Sequence, residues 1–143
     1  MEFLKPARIL LIFSFLLIVI SSVSYANPVP YSFISLEDYQ SSKTIQIVDV
    51  RSEQSRLKSG MEVSGEIWIN PYKTKALEDF IANNDKSKSY VVYCSCLDDN
   101  YAIRTAQILT KRGFSDVKVL KNGRELVENN KLPMIKIKGD DLN

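Results

Sequence analysis

Cys94 and Cys96 are the only two cysteines in a chain of 143 residues, and a single serine separates them. They stand in "YVVYCSCLDDNYAIRTA", where an apolar run gives way to two acids and then to a helical pattern. A pair of thiols so placed can close as a disulfide, help hold a metal, or present a thiolate as nucleophile. Zinc sites of the usual kinds draw on four Cys and His donors, and this chain has no His at all, so we expect no metal. The same lack removes Cys-His dyads and imidazole general bases. A disulfide across one intervening residue closes a very small loop, adds little by loop entropy and is prone to strain. Such a bond reads as a redox state rather than a staple. A nucleophilic thiolate needs converging N–H donors, which the start of a helix just after the loop would supply. Those donors would also stabilise the charge of a persulfide. A buried, inert cysteine ending a strand is the plainer alternative. Two cysteines at one junction argue against it for both.

The elements that must hold this pair can be read outward from it. "YVVYC" reads as a strand, and "IQIVDV" (Ile45 to Val50) as a second strand buried on both faces. "GEIWI" and "DVKVL" read as two more, with "NPVPYSF" as an extended lead-in. Ser35 to Asp38 ("SLED") can cap a short helix. Ser52 starts another that ends near Gly60, and Leu77, Phe80 and Ile81 share a helical face after Pro71. Ala102, Ile103, Ala106 and Leu109 form the inner stripe of a helix closed by Gly113. Strands alternating with helices predict an α/β fold, a parallel sheet of about four to five strands with helices on both faces. Ligands in such folds sit at the carboxyl ends of strands, which is where Cys94 falls. Trp68 alternates with Ile67 and Ile69 and reads as packing, and "KIKGDDLN" as a loose tail.

The first residues say where this chemistry would occur. Lys5 and Arg8 precede an apolar block from Ile9 to Ile20, followed by small residues at Ser24 and Ala26. This is the pattern of a secretory signal peptide over residues 1–26, and the block is short of the about 20 residues that span a bilayer. We therefore expect an exported protein, periplasmic in a two-membrane cell, with no membrane association after cleavage near Ala26. Residues 27–143 then form a single domain by length, with a core over about 34–134. Nineteen basic against seventeen acidic residues make no case for nucleic acid or an anionic membrane.

Taken in order, "IVDVRSEQSRLKSG", "VSGEIWINP", "YVVYCSC" and "AIRTAQILTKRGFSDVKVLKNGRELVENNKLP" resemble rhodanese-like domains over roughly Ile34 to Met134. The resemblance implies a loop wrapped around a cysteine that carries sulfur as a persulfide, with no cofactor. Here that loop is Ser95, Leu97, Asp98, Asp99, Asn100 and Tyr101 around the two cysteines. Asp49 and Arg51 match the family's strand-end "DVR" and are expected to make a structural ion pair or loop hydrogen bonds. Arg104, one turn after Asn100, is expected to pair with Asp99; the alternative for Asp99 is a cap on the helix start.

The chain also departs from the family. Its loop has neither the Gly nor the Arg common there, the usual paired Gly is Asn122-Gly123, a nearby aromatic is Val127, and a frequent His is Glu62. Strand anchoring assigns the nucleophile to Cys94, with Cys96 as accessory or resolving thiol. Helix counting favours Cys96, because Gly113 lies 17 positions after it and 19 after Cys94, against a common family spacing of about 17. The chain looks like a Cys-Ser-Cys loop variant, and Cys94 is the primary expectation. A phosphatase of related fold needs an early Arg to grip the phosphoryl group, whereas the first one here is Arg104. The function expected is a sulfurtransferase or persulfide carrier acting on a small sulfur donor or acceptor or a partner protein thiol. The alternatives are a thiol-disulfide redox module using both cysteines and a catalytically weak binding module.

Overall fold

The computed structural model describes residues 31–137, so the signal peptide expected at residues 1–26 lies outside the described residues. Five parallel strands form the main sheet: β1 (Ser32–Ile34), β2 (Gln46–Asp49), β4 (Ile67–Trp68), β5 (Ser89–Tyr93) and β6 (Asp116–Leu120), ordered β1-β6-β5-β2-β4. The helices are α1 (Leu36–Ser41), α2 (Glu53–Ser59), α3 (Thr74–Asn83), α4 (Asn100–Lys111) and α5 (Gly123–Glu128). The α/β reading and the strand count hold.

Alternation along β5 divides the core. Tyr90, Val92 and Cys94 face one way, packing with Phe80 and Ile81 of α3 and Ala102, Ala106 and Leu109 of α4. Val91 and Tyr93 face the other, with Leu126 of α5 and the partly buried Leu36 and Tyr39 of α1. A period of two thus sends neighbouring residues into separate clusters. Phe80, Tyr90 and Phe114 close the outer end of the first, with ring centroids 5.3–5.7 Å apart.

Local signals mark some of the helix boundaries. Ser35 caps α1 by accepting from the Asp38 N–H at 3.1 Å, and Ser52 caps α2 by accepting from Ser55. Gly60 ends α2 at φ 62°, a left-handed conformation that costs glycine little. One pairing departs from the sequence reading. Met61–Val63 forms β3 and pairs antiparallel with β7 (Met134–Lys136), and Ile137 donates to the Gly60 carbonyl at 3.0 Å. The first residues of the stretch read as a loose tail are therefore tied down. Backbone pairing is what holds them, since Met134 is half-buried and Ile135 and Lys136 are exposed.

Candidate active site

Strand β5 is flanked by β2 and β6 and delivers Cys94 at its carboxyl end, where the residue is 1 % exposed. Cys94 and Cys96 are joined as a disulfide. After Cys96 comes a short 3-10 turn, Leu97–Asp99, and then α4. Asp98 and Asp99 both adopt left-handed backbone, at φ 55° and 53°, in a loop that lacks glycine. Aspartate tolerates this region better than most residues.

Asp99 gains a further anchor. Its carboxylate is buried and accepts from the backbone N–H groups of Asn122 and Gly123 at 2.9 and 3.0 Å. It makes no side-chain cap on α4 and, among the described residues, no ion pair. This corrects the expectation that Asp99 would cap the helix or bind Arg104. The left-handed turn carries its carboxylate across to the β6–α5 connection, and Arg104 lies exposed on α4. Asp98, by contrast, is exposed and shares a small cavity of about 210 Å³ with Cys96, Leu97, Asn122 and Arg124.

Two residues of the β6–α5 connection serve this geometry. Asn122 turns the chain at φ 60°. Gly123 lies so close to the loop that a Cβ there would stand 2.5 Å from the Cys94 carbonyl oxygen and 3.3 Å from the Asp99 carboxylate. Only a residue without a side chain fits that approach.

The two sulfurs differ in surroundings. Cys96 is half-buried, and its Sγ accepts from the Tyr101 N–H of the first turn of α4 at 3.4 Å. Asn100 donates through its side chain to the Leu97 carbonyl at 3.1 Å. The Tyr101 ring meets Tyr72 edge-on at 5.6 Å, and their hydroxyls are 3.0 Å apart. Ser95 faces the other way, into a cavity of about 570 Å³ with Lys58, Ser59, Arg124, Val127 and Met134 on its walls. Arg124 borders both cavities and is paired with Glu128 at 2.8 Å.

Beneath the loop, the ends of β2 and β5 are joined by a buried ionic network that the sequence revealed only in part. Arg51 grips the Asp49 carboxylate through Nε and Nη2 at 2.8–3.0 Å, with both side chains fully buried. Arg56, which sequence reading assigned no role, reaches Asp49, Glu62 and Glu66 at 2.8–3.0 Å and lies over the Trp68 ring at 4.8 Å. Glu66, also missed, accepts from the Tyr93 hydroxyl at 2.5 Å and from the Val63 N–H at 2.9 Å. No spacing signal marks these two. A Glu before "IWI" and an Arg in a polar helix look like surface residues. Three carboxyl groups face two guanidinium groups here, one more acid than base. Burial, then the neighbouring Asp49 charge, raise the Glu66 carboxyl from 4.5 to about 7. Burial and the same carboxylates push the Tyr93 hydroxyl far above its ordinary value, so it stays a donor. Among the described residues, no three His, Cys, Asp or Glu side chains converge to hold a metal ion.

A family model described as a rhodanese-like domain matches residues 33–130. The chain belongs to the rhodanese-like family. No curated protein matches it. Among solved structures, a rhodanese-related protein from Thermoplasma volcanium is 21 % identical, covering 73 % of this chain and 98 % of its own, with a TM-score of 0.58. A full-length protein from Lactobacillus plantarum is 21 % identical over 94 % of this chain and 100 % of its own, at 0.57. The Alr3790 protein from Anabaena is 19 % identical over 71 % and 85 %, at 0.55. At these identities the likeness is one of fold.

Proposed function

We propose that this rhodanese-like protein is an exported sulfurtransferase or persulfide carrier, periplasmic in a two-membrane cell, whose sulfur rides on Cys96 with Cys94 as partner thiol. This moves the role from Cys94, favoured by strand anchoring, to the cysteine favoured by helix counting. The observation that carries the reading is the Tyr101 N–H directed at the Cys96 sulfur, beside a cavity that a donor can enter. Such a donor stabilises a thiolate and, after transfer, a persulfide anion. Cys94, 1 % exposed, offers an external reagent little approach.

Reaction begins from the reduced pair. The disulfide first takes two electrons from a dithiol, small or protein-borne. The Cys96 thiolate then attacks the outer sulfur of a persulfide donor R–S–S⁻. The donor S–S bond breaks, R–S⁻ leaves with the electron pair, and Cys96 becomes a persulfide. An acceptor thiolate can remove that sulfur by the same step in reverse sense. Asp98, Asp99, Glu125 and Glu128 border the Cys96 cavity against one cation, Arg124, an environment that favours a singly charged donor over a dianion such as thiosulfate.

The test is intact mass after reduction, desalting and exposure to a low-molecular-weight persulfide. Cys94→Ser is expected to gain one sulfur atom and Cys96→Ser to gain none. The reverse pattern would return the role to Cys94. The disulfide itself supports a second reading, a thiol-disulfide redox module. Under that reading the bond cycles with dithiols and no variant gains sulfur.

A further inference from the structure

We propose that the protein releases its bound sulfur as sulfide by an internal reaction, in which Cys94 attacks the persulfide on Cys96 and leaves the Cys94–Cys96 disulfide. The inference rests on the persulfide reading above and adds an activity to it: reduction of sulfane sulfur to sulfide. Its structural basis is the pairing itself. The two Sγ atoms are bonded in this fold, so the sulfur of Cys94 reaches that of Cys96 with the loop as it stands.

A persulfide on Cys96 has two sulfurs. The inner one is the Sγ of Cys96, the atom to which Cys94 is bonded in the oxidised protein. The outer one extends from it, and the free space beside Cys96 is the small cavity it shares with Leu97, Asp98 and Arg124. The buried Cys94 thiol gives its proton to the anionic outer sulfur as its own sulfur meets the inner one. Attack there forms the Cys94–Cys96 bond, breaks the bond from inner to outer sulfur, and expels HS⁻ with the electron pair. The sulfane sulfur gains two electrons, and the two cysteine sulfurs supply them. No outside oxidant is required. The balance closes within the loop and one bound sulfur.

Burial divides the labour. Cys94 belongs to the core cluster with Val92, Ala102 and Ala106, shielded from external donors, so it acts on what its neighbour carries. Cys96 borders a cavity and receives the Tyr101 N–H. Resetting follows the same division. A dithiol reductant attacks the accessible Cys96 sulfur, expels the Cys94 thiolate, and its second thiol then frees Cys96 as its own disulfide forms. Over one cycle, a persulfide and a dithiol become a thiol, sulfide and a disulfide.

The experiment uses the full chain, reduced, desalted and given one equivalent of glutathione persulfide, with sulfide trapped and intact mass read on the alkylated protein. The unmodified protein is expected to release about one sulfide per chain and to end as the disulfide with no added sulfur. Cys94→Ser is expected to gain one sulfur and, once the glutathione liberated by the transfer is removed, to keep it and release sulfide only when an external thiol is added. Cys94→Ala, which keeps the site apolar, repeats the arm should the serine variant fail to fold. An unmodified protein that holds its persulfide as long as Cys94→Ser does would overturn the internal step while leaving the carrier reading intact. A Cys94→Ser protein that gains a glutathionyl group in place of sulfur would overturn it too, because sulfide would then come from ordinary oxidation of the pair. Absence of any sulfur gain in either variant would sink the carrier reading and this one together.

Discussion

The ends of two adjacent strands in this molecule carry polar groups of opposite character. At the end of β2, Asp49 and Arg51 sit in a buried network with Arg56, Glu62, Glu66 and Tyr93. At the end of β5, the cysteine loop runs through two left-handed aspartates and is held to the next connection by a single carboxylate. The first region is dense with partners; among the described residues no buried side-chain nitrogen or oxygen lacks one. The second has few partners but close contacts. A buried charge network fixes strand ends firmly because removing any member strands the others. A loop held by one carboxylate and one close approach keeps its sulfurs placed and leaves room for the chemistry. The lesson is that dense charge pairing and sparse loop anchoring stand at neighbouring strand ends, each with its own physics.

The largest effect should come from breaking the network. Arg51→Ala leaves Asp49 buried with one remaining cation and is expected to cost about 3–5 kcal/mol, read as a lower midpoint in urea. The protein still folded at low urea should reduce its disulfide at the unmodified rate. A loss under about 1 kcal/mol would mean the network contributes little and the contrast fails.

Next in size is Gly123→Ala, which drives a methyl group into the Cys94 carbonyl. Overpacking of this kind costs about 1–3 kcal/mol. Unlike Arg51→Ala, it should change the rate at which a dithiol reduces Cys94–Cys96, because the loop itself must move. An unchanged rate would show that the loop is not positioned by this contact.

A pH effect sharpens the comparison from the network side. Glu66 holds its proton to about pH 7 in the folded protein, against 4.5 unfolded. Between those values the folded state binds more protons, so this group's contribution to stability is greatest at the acid end and falls as pH rises through the window. Urea midpoints from pH 4.5 to 7 should lose that downward component in Glu66→Gln. Identical pH profiles in the two proteins would show that Glu66 is ionised throughout.

The smallest effect belongs to the loop. Asp98→Asn removes an exposed charge beside Cys96 while keeping a residue that accepts φ 55°. Turnover with thiosulfate and cyanide should be poor in the unmodified protein and rise roughly two- to five-fold in the variant, less so at high salt. No change at low salt would show that the Asp98 carboxylate is not felt at the sulfur.

Much of this was legible in the chain because it depends on short-range pattern. The β-branched run of β2, the "YVVYC" strand and the alanine stripe of α4 each declare their element through period, while the Asp49–Arg51 pair was an expectation from the resemblance of "DVR" to the family's strand-end motif. What escaped was long-range. Arg56 and Glu66 look like surface charges until the fold buries them together, and Asp99 reads as a partner for Arg104 or a helix cap until a left-handed turn sends its carboxylate to Asn122 and Gly123. The β3–β7 pairing escaped for the same reason, since short strands of mixed polarity carry no strong period. Two ways of counting disagreed over Cys94 and Cys96, and the proposal of Cys96 rests on the Tyr101 N–H and the cavity beside it, which no sequence pattern announces.

Strand β7 has a consequence in time. A chain is made from its N-terminus, and the larger cavity beside Ser95 takes its walls from α2, the cysteine loop, α5 and Met134. Met134 reaches that wall by pairing with β3, far back in the chain, and such distant pairings are slow to form. Both cysteines and the helix that follows them precede that last wall in the chain. Until the pairing forms, Ser95 faces an open surface. The larger cavity is a property of the completed fold.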